Sequence, residues 1–507
     1  MHSKHSFGGS GYSIYSCFHR QTFVLDLLLP KSQPAALNTS KMSIAWQNNT
    51  GADAYATLSR DRVFNGRLPS CLPRVVIRVL GIEDVLAGVA LATREQCKLA
   101  VRSGGHSLPV WSLQEDTVLL NLGDWKNIDI DLSKQRALVT PAVTSKDLND
   151  ALAPRGLIFP GGHCPDVGLG GFLLQGGMGW NIQVCFHLSV CCCQSSRRLT
   201  SKQGWGWGCE AVEAVQVVTA QGELLWCNKD QHEDLYWAAR GAGPTFPAIV
   251  VCFQLRVLLS QPLGFWSSTY IYPRHHYRPI FEWALAVISV AGKNTETKLL
   301  AYYPPDSGDI CLLVQFITRQ ETAAKAQDIL SQIHARRPPG AIMESPSQPC
   351  SMDELFAVQA AANRPGYRCC SDNAFLKDGV DVISVLEPAF LTLPHRRSFA
   401  FWSPMVPRSR KPLMDMALSI QSDHYVSLYS VWEDAHDDER CREWTHGFLR
   451  SLDAHSVGSY IGEADPGRRP GRFWTEECLH RLMAVRKRWD PQCCLSVPPN
   501  LLPDDRS

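Results

Sequence analysis

The reading of this chain turns on residues 161–180, GGHCPDVGLGGFLLQGGMGW. Glycine has no Cβ, so a stretch this rich in it lets backbone come close to a bulky anionic group and turn several N–H donors toward it. A pyrophosphate needs such a cradle. The spacing is not the Rossmann G-x-G-x-x-G, because Leu173 stands three residues after Gly170, and no Gly-Lys-Ser/Thr follows to make a Walker A loop. Val167, Leu169, Phe172, Leu173 and Leu174 interleave with the glycines, which separates the segment from a solvated linker.

A second glycine turn lies upstream at residues 102–107, RSGGHS. It closes a strand–helix–strand unit. Residues 74–80 are β-branched and apolar, residues 82–94 carry apolar side chains at the helical period, and residues 98–102 return as a short strand. A strand that ends in glycines is a favourable phosphate cradle. Arg102 adds charge there, and Ser103 and Ser107 add hydroxyls. Between the two turns come short strands at 118–122, 128–132 and 136–140 and a helix at 145–153, for which Ser145 is the expected N-cap. Further on, residues 214–219 and 223–226 flank Ala-Gln-Gly as a β-hairpin, 234–240 is a short helix and 249–257 a strand.

From about residue 264 the pattern changes to strands (265–272, 298–303, 310–317, 399–402, 426–432) with helices such as 277–290 and 321–335 between them. This predicts an α+β layer, a sheet with helices on one face. Residues 337–349, rich in Pro and Ser, read as a loop.

Taken together, RSGGHS and the 161–180 segment make the chain resemble the FAD-linked oxidoreductases of the p-cresol methylhydroxylase/vanillyl-alcohol oxidase type, and among them the berberine bridge enzyme-like proteins. WGWGCEAVEAVQVVTAQGEL (205–224), DLYWAARGAG (234–243), GSYIGEAD (458–465) and WTEECLHRLMAVRKRWDP (474–491) extend the resemblance. It implies a two-lobed α+β (α/β) fold: an FAD-binding domain over 64–258, a substrate domain over 259–455 with an antiparallel sheet backed by helices, and a segment at 456–495 returning to the flavin side. Residues 1–63 would be an extension, ordered only in part. The resemblance also implies covalent FAD, joined to His106 at the flavin 8α-methyl and to Cys164 at C6. Ser103, Gly104, Gly105, Val167, Gly168, Gly170, Gly171, Gly177 and Gly179, with Arg102 and Ser107, would line the cofactor. Two tethers fix the ring and raise its reduction potential, which suits hydride removal from a small organic molecule, with dioxygen as acceptor. An intermediate of specialised metabolism is the expected substrate and an oligosaccharide the alternative. Tyr429, on the 426–432 strand, and Tyr460 are the candidate catalytic residues.

Two segments depart from the family pattern. Residues 182–203 intervene after GMGWN and read as a mis-spliced insertion or a surface loop, and QCCLSVPPNLLPDDRS replaces the family's Gly-Leu-Phe after residue 491. A catalytically impaired flavoprotein is the rival these departures raise.

Composition narrows the partners. In 507 residues, 50 basic side chains balance 49 acidic ones, so bulk charge attracts neither nucleic acid nor anionic lipid. No apolar run reaches membrane-spanning length. Nineteen cysteines, several adjacent, lack the spacing of zinc ligands and suit free thiols in a reducing compartment better than a secreted disulfide framework. No metal is expected.

Overall fold

The computed structural model describes residues 43–180, 205–260, 264–305 and 307–503. The expected insertion at 182–203 lies outside them. A four-stranded sheet runs in the order Ser43–Trp46, Val75–Arg78, Thr117–Asn121, Lys98–Arg102; the first pair is antiparallel and the others parallel. The Ile82–Glu95 helix makes the crossover and buries Val85, Val89, Leu91 and Ala92 against Ile77, Leu99 and Leu120. Order begins earlier than residue 64: Ser43–Trp46 pairs with Val75–Arg78, and the Ala52–Arg60 helix follows it.

The second sheet has five antiparallel strands, ordered Ile128–Asp131, Arg136–Val139, Ala248–Arg256, Val212–Thr219, Leu224–Cys227. The last pair is the hairpin read from the sequence. The third sheet has eight antiparallel strands. From its outer edge these are Met343–Cys350, Phe265–Pro273, Cys311–Thr318, Thr295–Tyr302, Phe399–Pro404, His424–Trp432, Arg368–Leu376 and Ser456–Gly458. Side chains alternate across a strand. Leu299, Ala301, Trp402, Val426 and Leu428 therefore share one face, packed under helices Tyr277–Ala286, Ala323–His334 and Val382–Leu391. Glu296, Lys298, Phe401, Tyr425, Ser427 and Tyr429 take the opposite parity. This is the mixed α+β architecture expected, with an antiparallel sheet backed by helices.

Three local findings correct or extend the expectations. Residues 343–350 are a strand, not part of a loop; at the sheet edge Pro346 and Pro349 can be accommodated without a missing ladder donor in the interior. The Arg368–Leu376 strand escapes sequence reading because it carries Asp372 and Asn373 in its centre. Both are buried, and both are satisfied from distant chain: Arg469 binds Asp372 through two nitrogens, at 2.6 and 2.8 Å, and Asn373 exchanges two bonds with the Tyr460 backbone. Third, the helix at Ser145–Leu152 is capped by Thr144, whose hydroxyl accepts from the Asp147 N–H while Asp147 accepts from the Thr144 N–H. Ser145 instead accepts the Gly162 N–H at 2.8 Å and draws the glycine-rich loop inward.

Candidate active site

The two glycine turns meet. A Cβ on Gly104 would stand 2.6 Å from Gly168 N, and one on Gly168 would stand 2.9 Å from Gly104 N, so neither position has room for a side chain. One residue pair on, a Cβ at Gly170 would strike Ser103 Oγ at 2.8 Å. The contact is fixed by the Leu169 N–H to Val143 O and the Gly170 N–H to Pro141 O, both 2.8 Å. Gly105 (φ +75°) and Gly177 (φ +83°) occupy the left-handed region that glycine adopts without strain. At the far end of the segment Gly162 and Gly179 form a bridge, which leaves no room for a Cβ on Gly179, and the Trp180 N–H reaches Gly161 O. Beside Gly171 there is open space.

Among the described residues no acceptor takes the N–H groups of Gly104, Gly105, His106 or Ser107. Ser107 Oγ and His106 Nε2 are likewise buried without a hydrogen-bond partner. Buried polar atoms such as these two are seldom left unpaired, and an anionic group seated against this turn would also take the free N–H groups. Arg102 is buried and gives Nη1 to the Ser59 carbonyl at 2.6 Å, tying the turn to the Ala52–Arg60 helix; burial pulls its pKa down to about 10, and its Nε and Nη2 have no partner.

His106 stacks on Phe64, with ring centroids 4.1 Å apart, and its Nε2 lies 3.3 Å from Asp166 Oδ1 without the alignment of a hydrogen bond. Asp166 comes from the other turn, two residues after Cys164. Burial raises this carboxyl, but the neighbouring imidazole outweighs burial and leaves it below its ordinary value. Burial, and then the charges of Asp166 and Glu463, push the Cys164 thiol up to about 12.

The open face of the eight-stranded sheet supplies the opposite wall. Tyr425 donates to Glu463 Oε2 at 2.5 Å. Tyr429 stacks on Phe399 at 4.5 Å, and burial and then Glu463 drive the pKa of both tyrosines well above 10. Glu463 thus serves two phenols and is near enough to Cys164 to perturb it. Sequence reasoning missed it, although GEAD was quoted, because only the fold brings it to strand His424–Trp432. Tyr460 sits elsewhere in the same wall: its hydroxyl accepts from the Gly177 and Met178 N–H groups, at 3.2 and 3.3 Å, and so holds the glycine-rich segment. Also unread in the sequence was a buried cluster beside Cys164. Glu296 Oε1 lies 3.1 Å from His163 Nε2 and 2.7 Å from Lys298 Nζ, and Lys298 stands over the Trp180 ring. A groove of about 1020 Å³, lined by residues such as Met416, Ile420, Phe473, Trp474 and Arg481, includes none of these groups.

The residues present fit a flavin dinucleotide: two converging glycine turns, unpaired donors, and an imidazole and a thiol from separate turns, with Asp166 close enough to act on both. Residues 73–194 match the FAD binding domain family model. The chain is 34% identical to FAD-linked oxidoreductase janO of Penicillium janthinellum over 90% of its own length and 97% of that protein's. It is 27% identical to the xylooligosaccharide oxidase of Thermothelomyces thermophilus, over 90% and 91%. Its fold matches BBE-like 1 of Physcomitrella patens with a TM-score of 0.73, at 18% identity over 91% of this chain and 96% of that one. Sequence shared along nearly all of a curated relative makes the chain a member of the FAD-linked oxidoreductases, and its fold is that of a berberine bridge enzyme-like protein.

Proposed function

We propose that the protein oxidises a small organic molecule, an intermediate of specialised metabolism, using FAD attached through both His106 and Cys164 and dioxygen as final acceptor. The contact between Gly104 and Gly168, which carries the two attachment residues to one place, supports this reading most directly. Gly104, Gly105 and Ser107 would hold the pyrophosphate side, with Ser103, Val167, Gly168, Gly170, Gly171, Gly177 and Gly179 shaping the cradle. When bound, the flavin supplies a two-electron acceptor for substrate hydride and returns those electrons to dioxygen.

The chain's own residues handle the proton. A phenol pushed well above 10 is not itself a base at neutral pH. Tyr429 therefore takes the substrate proton as it releases its own to the Glu463 carboxylate, and Tyr425 holds that carboxylate in place. Tyr460 acts on the glycine-rich segment rather than on the proton. The aromatic wall of Phe399, Phe401, Tyr425 and Tyr429 also suits a sugar ring, and with the xylooligosaccharide oxidase likeness it favours oligosaccharide oxidation as the second reading.

The test is mass spectrometry of tryptic peptides from protein produced with ample riboflavin. Flavin is expected on the peptides bearing His106 and Cys164, with yellow colour that survives acid precipitation and is lost in the H106A/C164A double variant. Both side chains unmodified would overturn the reading. Anaerobic bleaching by small alcohols and amines against xylobiose separates the two substrate classes.

A further inference from the structure

Resting on that reading of the cofactor, we propose that Glu296, acting through His163, is the positioning residue that sets the Cys164 thiol for its bond to the flavin. His163 directly precedes Cys164. His163 belongs to the Gly162–Gly179 bridge, but among the described residues no acceptor takes the Cys164 N–H, and a proline follows it, so past that bridge the backbone at the thiol has little to hold it. The His163 side chain is the nearest anchor: its Nε2 meets Glu296 Oε1 at 3.1 Å, and its ring packs on Trp180 at 4.5 Å. Trp180 closes the same loop, so the anchor grips both ends of the glycine-rich segment.

Glu296 is a rigid place to anchor. Its side chain is 3% exposed, and on strand Thr295–Tyr302 it pairs with Ile317, while the other edge of that strand joins Phe399–Pro404 from Leu299 onward. Lys298, two residues along and on the same face, pins the carboxylate at 2.7 Å and stands 4.6 Å from the Trp180 ring centroid. Burial would raise the Glu296 pKa, but Lys298 and His163 hold it well below the usual carboxylate range, so a charge is always there to meet the imidazole. Burial lowers the pKa of His163, whose neutral ring donates from Nε2.

The bond forms between Cys164 Sγ and flavin C6. The S–H and C6–H bonds break, and two protons and two electrons in all end on dioxygen as hydrogen peroxide. Such a step is sensitive to placement: an error of about 1 Å costs on the order of a hundredfold in rate.

The experiment loads flavin-free protein with FAD in air and follows both peptides by mass spectrometry. His163→Phe keeps a ring against Trp180 and removes the bond to Glu296; His163→Gln restores a donor. In the Phe variant the Cys164 link is expected to form at least about tenfold more slowly, by the same placement argument, with the His106 link at the wild-type rate and the Gln variant recovering most of the loss. A Cys164 link formed at the wild-type rate in the Phe variant refutes the proposal. Equal loss of both links, or no rescue by Gln, refutes it as well, since either would mark a general packing role. Wild-type protein with neither link removes the cofactor reading beneath it.

Discussion

Replacing Gly104 with alanine probes the convergence of the two turns. The new Cβ would stand 2.6 Å from Gly168 N and 3.0 Å from Gly168 Cα, both backbone atoms that cannot swing aside. Gly104 lies outside the left-handed region, so the cost is steric alone. Non-bonded atoms rest near ~3.5 Å, so the turns must part by roughly 1 Å, an overpacking strain of about 1–3 kcal/mol. For a cooperative unit of 150–250 residues this lowers Tm by roughly 2–12 °C. The parted cradle should also lose flavin, read as absorbance near ~450 nm per chain against riboflavin-supplemented wild type. Gly308→Ala is the matched control, because its Cβ meets nothing within 4 Å and it lies outside the cradle, and it should leave both readings unchanged. A Gly104→Ala protein with wild-type Tm and full flavin content would refute the argument that the turns abut to form one site.

Four further outcomes are expected. Glu463→Gln and Tyr429→Phe should each lower the rate of anaerobic flavin reduction by about 10²–10⁴-fold with flavin content intact; equal loss of flavin in both would move these residues out of proton transfer. In flavin-free protein, iodoacetamide at pH 8 should alkylate Cys164 roughly a thousandfold more slowly than an ordinary thiol, because a pKa near 12 leaves so little thiolate; peptide mapping against exposed Cys493 measures it. Because the folded pKa of Glu296 is depressed, its stabilisation is present above the unfolded value of ~4.3 and is lost as pH falls below it. Urea unfolding at pH 7 and pH 3 should therefore show the gap between wild type and Glu296→Gln narrowing with acid, and a constant gap contradicts the assignment. Asp372→Asn leaves the buried Arg469 guanidinium with only the half-exposed Asp453 as charge partner and should cost about 1–3 kcal/mol in denaturant unfolding, while the flavin links still form.

The chain's departures from the family pattern bear on folding as well. The residues after 491, which replace the expected Gly-Leu-Phe, are packed rather than loose. Cys494 O and the Ser496 N–H bracket Leu99 at 2.7 and 2.8 Å, Asp490 takes the Cys494 and Leu495 N–H groups, and Leu495 joins the core beneath the first sheet. This tail therefore closes one side of the four-stranded sheet that carries the RSGGHS turn. The described cysteines are free thiols, several of them buried.

What the amino-acid order determined by itself was local: the strand–helix–strand unit ending at Arg102, the hairpin around residues 220–222, and two glycine turns whose chemistry needs no distant partner to be read. Those signals are short-range, set by β-branching, helical period and the missing Cβ, and so they survive in one dimension. The tertiary structure decided the rest. Tyr425, Tyr429 and Glu463 form one group only because the Ile461–Glu463 turn folds back over the sheet, and His163, Glu296 and Lys298 another because the glycine-rich loop packs on a strand 133 residues away. The Arg368–Leu376 strand was illegible for the same reason: an Asp and an Asn in a buried strand are tolerable once Arg469 and the Tyr460 backbone pair with them, and neither partner is visible from the strand itself. Local preference is written residue by residue, whereas the satisfaction of a buried charge is a property of the whole packed chain.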